Sequence, residues 1–310
     1  MSRDPIRIEV VDDDVDGDAA ATTEPDLPPE READIAEVTR APGDGAARVA
    51  AAFARAADED RAALVIYLPA GFPDHDTSRA CMVAAAEAGA DVIEIGFPFS
   101  DPVMDGPIIQ AANQQVLARG ATVADHLAMA VQLNAEVDVP TLAMTYVTIA
   151  DAHGYERFAE ELVSAGLAGV ILPDLPVTEA GPWSEVADTA GLASVLLASS
   201  VSSDQRLAEI ADVSTGWVYA VGLLGVTGVK AVAREATRDL VARLRPLTHK
   251  PIAVGIGVKD AADAAAVANF ADGVIVGSEA VRRVADGDPA GAPDRVAHLV
   301  ADLRAGVERS

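Results

Sequence analysis

Two acids in one short stretch raise a chemical question. In IEIGFPFSDPVMDGP, residues 93–107, Glu94 stands between Ile93 and Ile95 with Phe97 close by. Asp105 follows in a loop stiffened by Pro98, Pro102 and Pro107. A carboxyl in apolar surroundings is driven toward its protonated form, because desolvation penalises charge. Glu94 is therefore suited to hold or exchange a proton near neutral pH, as acid–base catalysis requires. Asp105, in a wetter loop, is expected to stay ionised, to accept an N–H or to offset a developing positive charge. A purely structural alternative stays open: Glu94 pairs with a core arginine, and Asp105 caps the helix after Pro107, since structural ion pairs also perturb carboxyls.

Glycines mark a second set of candidates. GIG (255–257) and GS (277–278) close two late apolar runs, and LLGVTG (223–228) adds Thr227 and Gly228 after the run before them. Backbone N–H groups bared by glycine, with a helix N-terminus, can hold an anion without any lysine. Glycine also serves plain turns, so the set of three carries the reading rather than any one pair. Other chemistries lack their residues. The five histidines form no HxH or HExxH pair, so no metal site is expected. Lys230, Lys250 and Lys259 all fall outside the predicted strands, which makes a Schiff base awkward. No GxSxG elbow occurs. A carboxylate pair with a phosphate cradle suits proton transfer on a sugar phosphate. If a C–C bond breaks there, the substrate must supply its own electron sink.

These residues need a scaffold, and the chain repeats one. Apolar runs occur at ALVIYLPAG (63–71), DVIEIGFPF (91–99), PTLAMTYV (140–147) and GVILPDLP (169–176). Four more follow at ASVLLAS (193–199), WVYAVGL (217–223), PIAVGIG (251–257) and GVIVGS (273–278). Helical spacing fills the intervals, as in TSRACMVAAAEAG and YERFAEELVSAG. Continuous rather than alternating apolar strands imply burial on both faces and a parallel sheet. Eight strand–helix units predict an α/β fold, a (β/α)8 TIM barrel, with active residues at the C-terminal ends of the strands. A doubly wound sheet is the alternative, but its first loop, PAGFPDHD, carries no GxGxxG.

Composition narrows the partners. The chain carries a net charge of −26, of which the first forty residues hold 13 acids against 4 arginines. Such a surface repels phosphate backbones and anionic lipid, which argues against nucleic acid and membrane. Residues 1–45 read as an acidic, disordered tail and residues 46–310 as the catalytic barrel. The single cysteine, Cys81, excludes an intrachain disulfide. The N-terminus lacks a signal-peptide layout and no long apolar span appears, so a soluble cytoplasmic protein is expected. The preference for arginine over lysine fits a GC-rich genome and a saline cytoplasm alike.

From about residue 46 to 308 the chain resembles the tryptophan synthase α-subunit family, the indole-3-glycerol-phosphate lyases. ADVIEIGFPFSDPVMDGPIIQAANQQVLARGAT is close to the family's signature, and MTY (144–146), PDLP (173–176), GVTG (225–228), GIG and GS follow in its order. The resemblance implies retro-aldol cleavage of indole-3-glycerol phosphate to indole and glyceraldehyde 3-phosphate. It makes Glu94 the acid–base group at indole C3 and at the glycerol hydroxyl, and Asp105 the acceptor of the indole N–H. It places Tyr146 and Tyr219 at the indole pocket, and Gly228, Gly257, Gly277 and Ser278 at the phosphate. Thr227 would order a lid around Asp105. It also implies an α2β2 heterotetramer with a β subunit that carries pyridoxal phosphate, this chain holding no cofactor. Pro98, Asp101, Pro102 and Asp174 would face that partner. Tyrosines 146 and 219 read equally as core aromatics without the family match.

Departures from the family pattern touch the lid and the partner face. GLLGVTG (222–228) lacks an arginine common there, ASSVSS (198–203) replaces a Pro-Thr turn, Thr148 replaces an asparagine, and PAGFP replaces TAGDP. Two other readings remain: a free-standing indole-releasing lyase and a non-catalytic regulatory subunit. Another phosphate-binding barrel, such as an epimerase, would need metal ligands that the sequence does not display.

Overall fold

Inward and outward side chains alternate along each strand, and that period of two organises the molecule. A computed structural model describes residues 43–222 and 230–309, with the side chains of 230–233 left aside. The strands are β1 (Ala63–Pro69), β2 (Val92–Gly96), β3 (Thr141–Met144), β4 (Gly169–Ile171), β5 (Ala193–Val195), β6 (Leu197–Ser199), β7 (Val218–Val221), β8 (Ile252–Gly255) and β9 (Gly273–Val276). All pair in parallel, in the order β5-β4-β3-β2-β1-β9-β8-β7-β6. The two ends of that order are halves of one run, ASVLLAS, separated only by Leu196. The Leu196 N–H goes to Ser214 Oγ at 3.3 Å, which interrupts the strand. β5 pairs with β4 and β6 with β7, so the chain itself closes the ring. The eight predicted strands are all present, and the fold is a (β/α)8 barrel.

The helices are α1 (Gly45–Asp58), α2 (His75–Glu87), α3 (Pro107–Leu117), α4 (Val123–Glu136), α5 (Val147–His153), α6 (Tyr155–Ser164), α7 (Gly181–Ala190), α8 (Asp204–Val213), α9 (Lys230–Leu244), α10 (Ala261–Ala268), α11 (Ser278–Ala285) and α12 (Ala292–Gly306). Local signals set several starts. The Asp74 side chain accepts from Thr77 N at the head of α2, and Thr122 with Asp125 forms a capping box on α4. α1 begins at Gly45, within the stretch read as tail, and Gly45 is buried against Ala168 and Gly191. Residues 1–42 lie outside the described structure.

The core divides by parity. Outward residues such as Leu64, Ile66, Leu68, Ile93 and Ile95 pack against helices, including Met82 and Ala85 of α2. Inward residues Ala63, Val65, Val92, Leu142, Val195, Trp217 and Ile275 fill the barrel, and Val49, Ala52, Phe53 and Ala56 of α1 close its lower end. Phe53 and Trp217 meet there with ring centroids 5.5 Å apart. One step higher on the same inward positions, the side chains change character. Tyr67 follows Val65, Glu94 follows Val92, and Tyr219 follows Trp217.

Candidate active site

Glu94 sits at the centre of that upper layer. It is fully buried, with Tyr67 of β1 and Leu142 of β3 as its register neighbours. Neither carboxyl oxygen has a hydrogen-bond partner among the described residues. The alternative of a core arginine partner is thus not what the fold builds. Burial with nothing to offset it pushes the carboxyl up to about 8. Such a group holds a proton at neutral pH and can release it within the working range.

Asp105 is fixed by a different set of contacts. Its N–H donates to Pro102 O at 3.1 Å, and Gln110 Nε2 donates to its carbonyl at 2.9 Å. Its carboxylate accepts from Asn113 Nδ2 at 3.0 Å and from the Tyr146 hydroxyl. The helix-capping alternative also fails, because Gly106 is the N-cap of α3 and no side chain caps it. The loop is drier than its composition suggests. Burial raises the Asp105 carboxyl to about 6, with Tyr146 opposing the rise, so it remains mostly ionised at neutral pH.

A cavity of about 250 Å³ joins these groups at the C-terminal ends of the strands. Tyr67, Glu94, Asp105 and Tyr219 line its polar part, with Met104, Ile109, Met144, Leu197 and Ile275 as apolar wall. Gly222, Gly255, Gly257, Gly277 and Ser278 form another side. Gly277 and Ser278 open α11, and Gly257 adopts φ +71°, a left-handed conformation suited to glycine. Backbone of this kind at a helix N-terminus can accept an anion. Thr227 and Gly228, expected at the same site, lie outside the described residues.

The remaining candidates scatter. Tyr219 is buried beside Glu94, and burial plus both acids push its phenol well above the usual range. Tyr146 does not line the cavity: it stands behind Asp105, accepts from Met104 N at 3.0 Å and stacks on Phe99. Asp174 accepts from Val147 N at 2.9 Å at the start of α5. Pro98 is buried, Pro102 half-buried, and exposed Asp101 accepts from Ser100 Oγ at 2.5 Å. None of these four touches the cavity wall.

Two residues of the site escaped the sequence reading. Tyr67 lies over Gly96, where a Cβ would come within 2.2 Å of its hydroxyl oxygen, so only glycine admits the ring. Asn113, buried on α3, hydrogen-bonds both Asp105 and the Tyr67 hydroxyl. Strand parity from Val65 could have flagged Tyr67, but its register against Glu94 is not written in one strand. Among the described residues no cluster of three His, Cys, Asp or Glu could hold a metal, and no helix is long and apolar enough to cross a membrane.

Fold and site together define a barrel enzyme with an unpaired buried acid, an ionised partner acid and a glycine-built wall at the catalytic end. Comparison with known proteins makes the class specific. The model of the tryptophan synthase alpha chain family matches residues 53–307. The alpha chain of Streptomyces coelicolor is 49% identical over 82% of this chain and 94% of its own, and that of Leifsonia xyli is 44% identical over 84% and 99%. The Mycobacterium tuberculosis tryptophan synthase structure superposes with a TM-score of 0.78 at 38% identity, covering 85% of this chain and 99% of that one. The chain belongs to the tryptophan synthase alpha chain family. That family acts in tryptophan biosynthesis, catalyses a lyase-type reaction and partners a beta subunit.

Proposed function

We propose that the cavity cleaves indole-3-glycerol phosphate to indole and glyceraldehyde 3-phosphate by a retro-aldol step. The observation that carries this reading is Glu94, buried without a counter-charge and held near a pKa of about 8. Protonated Glu94 delivers its proton to indole C3, which makes the ring an electron sink. The resulting carboxylate takes the proton of the glycerol hydroxyl as the C–C bond breaks, and its electrons return to the ring. Glu94 ends protonated, so the step balances without a co-reactant. Ionised Asp105 accepts the indole N–H and stabilises positive charge on the ring.

Tyr219 walls the indole, and Gly257, Gly277 and Ser278 bind the phosphate with Gly228; Thr227 orders the loop near Asp105. Tyr146 serves the pocket from behind, through Asp105. Pro98, Asp101, Pro102 and Asp174 face a β subunit in an α2β2 assembly in the cytoplasm. Pyridoxal phosphate belongs to that partner; no lysine lines the described cavity. The acidic N-terminal residues are an appendage to the catalytic unit.

Indole release by the purified chain, with and without a β subunit, tests the reading. Slow release that rises strongly with the partner supports it. Fast release alone would point to a free-standing lyase, and none in either condition to a regulatory role.

A further inference from the structure

Asp105 is held from α3 by a side chain that the reaction above leaves unused. Asn113 lies about two turns into the helix and is 2% exposed. Its Nδ2 donates to Asp105 Oδ2 at 3.0 Å, and the same side chain hydrogen-bonds the Tyr67 hydroxyl. An amide NH2 carries two hydrogens, so it can serve both oxygens, and together they fix which way the amide faces. Tyr67 cannot swing away easily. Its ring lies over Gly96 and against Gly277, whose Cβ would stand 3.4 Å from the ring. A polar chain thus runs from β1 through α3 to the loop that carries Asp105.

The surroundings of Asp105 give this chain work to do. The described groups facing it are Tyr67 from β1, Glu94 from β2, Tyr146 from the turn after β3, Asn113 from α3 and Tyr219 from β7. No cation stands among them, and burial disfavours the charged carboxylate. Neutral donors must therefore supply whatever stabilises the anion, and a donated N–H does so. We propose that Asn113, anchored by Tyr67, is a positioning residue that orients Asp105 toward the substrate's N–H and favours its anionic form. The identity of that N–H rests on the indole-3-glycerol-phosphate reading; the effect on Asp105 does not.

The test uses the full chain carrying 13C-labelled aspartate carboxyls, titrated by NMR, with the Asp105 signal assigned by its loss in Asp105→Asn. Asn113→Ala is expected to raise the Asp105 midpoint by about one pH unit, a tenfold change in proton affinity. Asn113→Asp, which sets a second acid beside it, should raise it further. Tyr67→Phe keeps the ring's volume and should shift it the same way by less, which covers the case of a poorly folding Asn113 variant. The acid limb of indole release should move with the midpoint. An unmoved midpoint in folded Asn113→Ala or in Tyr67→Phe overturns the proposal, whether or not the chain cleaves the substrate. Absence of indole release by the unaltered chain would sink the reaction reading alone.

Discussion

Tyr67 and Glu94 face each other across β1 and β2 as direct register partners, both on the inward side of the barrel. A phenol thus stands beside the acid on one side, and another, Tyr219, is close enough on β7 to feel its charge. Neither neutralises it, so burial alone sets its proton affinity. Asp105, at the same cavity, is only partly buried and has donors. Two carboxyls in one cavity are thereby pushed to different affinities, the arrangement that separates an acid from an acceptor.

A pH–rate profile follows from that separation. With Glu94 near about 8 and Asp105 near about 6, the working form, Glu94 protonated and Asp105 ionised, predominates between those values. Indole release measured as kcat/KM should rise through the lower value and fall through the upper one, the two limbs belonging to the coupled pair. A flat profile across the window would mean that neither ionisation governs the reaction.

Glu94→Gln should cut cleavage by about 10²- to 10⁴-fold or more while leaving the fold intact. It should also change stability, with a defined sign. The folded carboxyl titrates near about 8 against an ordinary value of 4.5. Below 4.5 both folded and unfolded chains hold the proton and burial costs nothing through ionisation. As pH rises, the unfolded chain ionises first, so the wild type loses stability until the folded group ionises too. Glutamine has no such loss. Melting curves at several pH values should show the variant pulling ahead of wild type between about 4.5 and 8. A gap independent of pH would refute burial as the cause.

The strands were legible because all eight are continuous apolar runs, and Glu94 was legible because it interrupts one of them. ASVLLAS reads as one strand, and only the Ser214 hydroxyl, brought from the end of α8, splits it at Leu196. Tyr67 was hidden because an aromatic in ALVIYLP reads as ordinary core; its meaning depends on the register with Glu94. Asn113, among polar residues in PIIQAANQQVL, reads as helix surface, yet α3 buries it against Asp105 and the Tyr67 hydroxyl. Tyr146 stands one layer further out, behind Asp105. β3 ends at Met144, which takes the inward position, and Tyr146 at the head of α5 reaches Met104 instead.

Gly96→Ala should be disproportionately costly for so small a change. Its Cβ would meet the Tyr67 hydroxyl oxygen at 2.2 Å and the ring carbons at 2.5 and 2.6 Å. The ring must move, which also breaks its bond to Asn113. Overpacking of this kind costs about 1–3 kcal/mol. Adding Tyr67→Leu should recover stability, because the clashing ring is gone, without recovering full activity. Urea unfolding of the single and double variants checks the pair. If Tyr67→Leu fails to relieve the loss, the ring is not what keeps position 96 a glycine.

Three residues before Glu94, the same chain segment handles an acid in the opposite way. Asp91 accepts from Arg61 Nη1 at 2.5 Å and Nη2 at 2.8 Å, and from Leu64 N at 2.8 Å, at the N-terminal end of the strands. Both side chains are nearly inaccessible, at 5% and 10% exposure, so the carboxylate depends on its arginine. Arg61→Met would strand that charge, and removing one partner of a buried pair costs about 3–5 kcal/mol. Replacing both, as in Arg61→Met with Asp91→Leu, should cost less than the single change, because no buried charge is left unpaired; exposed Glu59, which also meets Arg61, keeps Arg304. Function should survive this loss of stability, since the proposed chemistry sits at the other end of the barrel. The expected result is a lower urea midpoint with indole release unchanged under conditions where the variant is folded. Loss of activity without loss of stability would contradict this division between a structural lower end, where acids are paired, and a chemical upper end, where Glu94 is left alone.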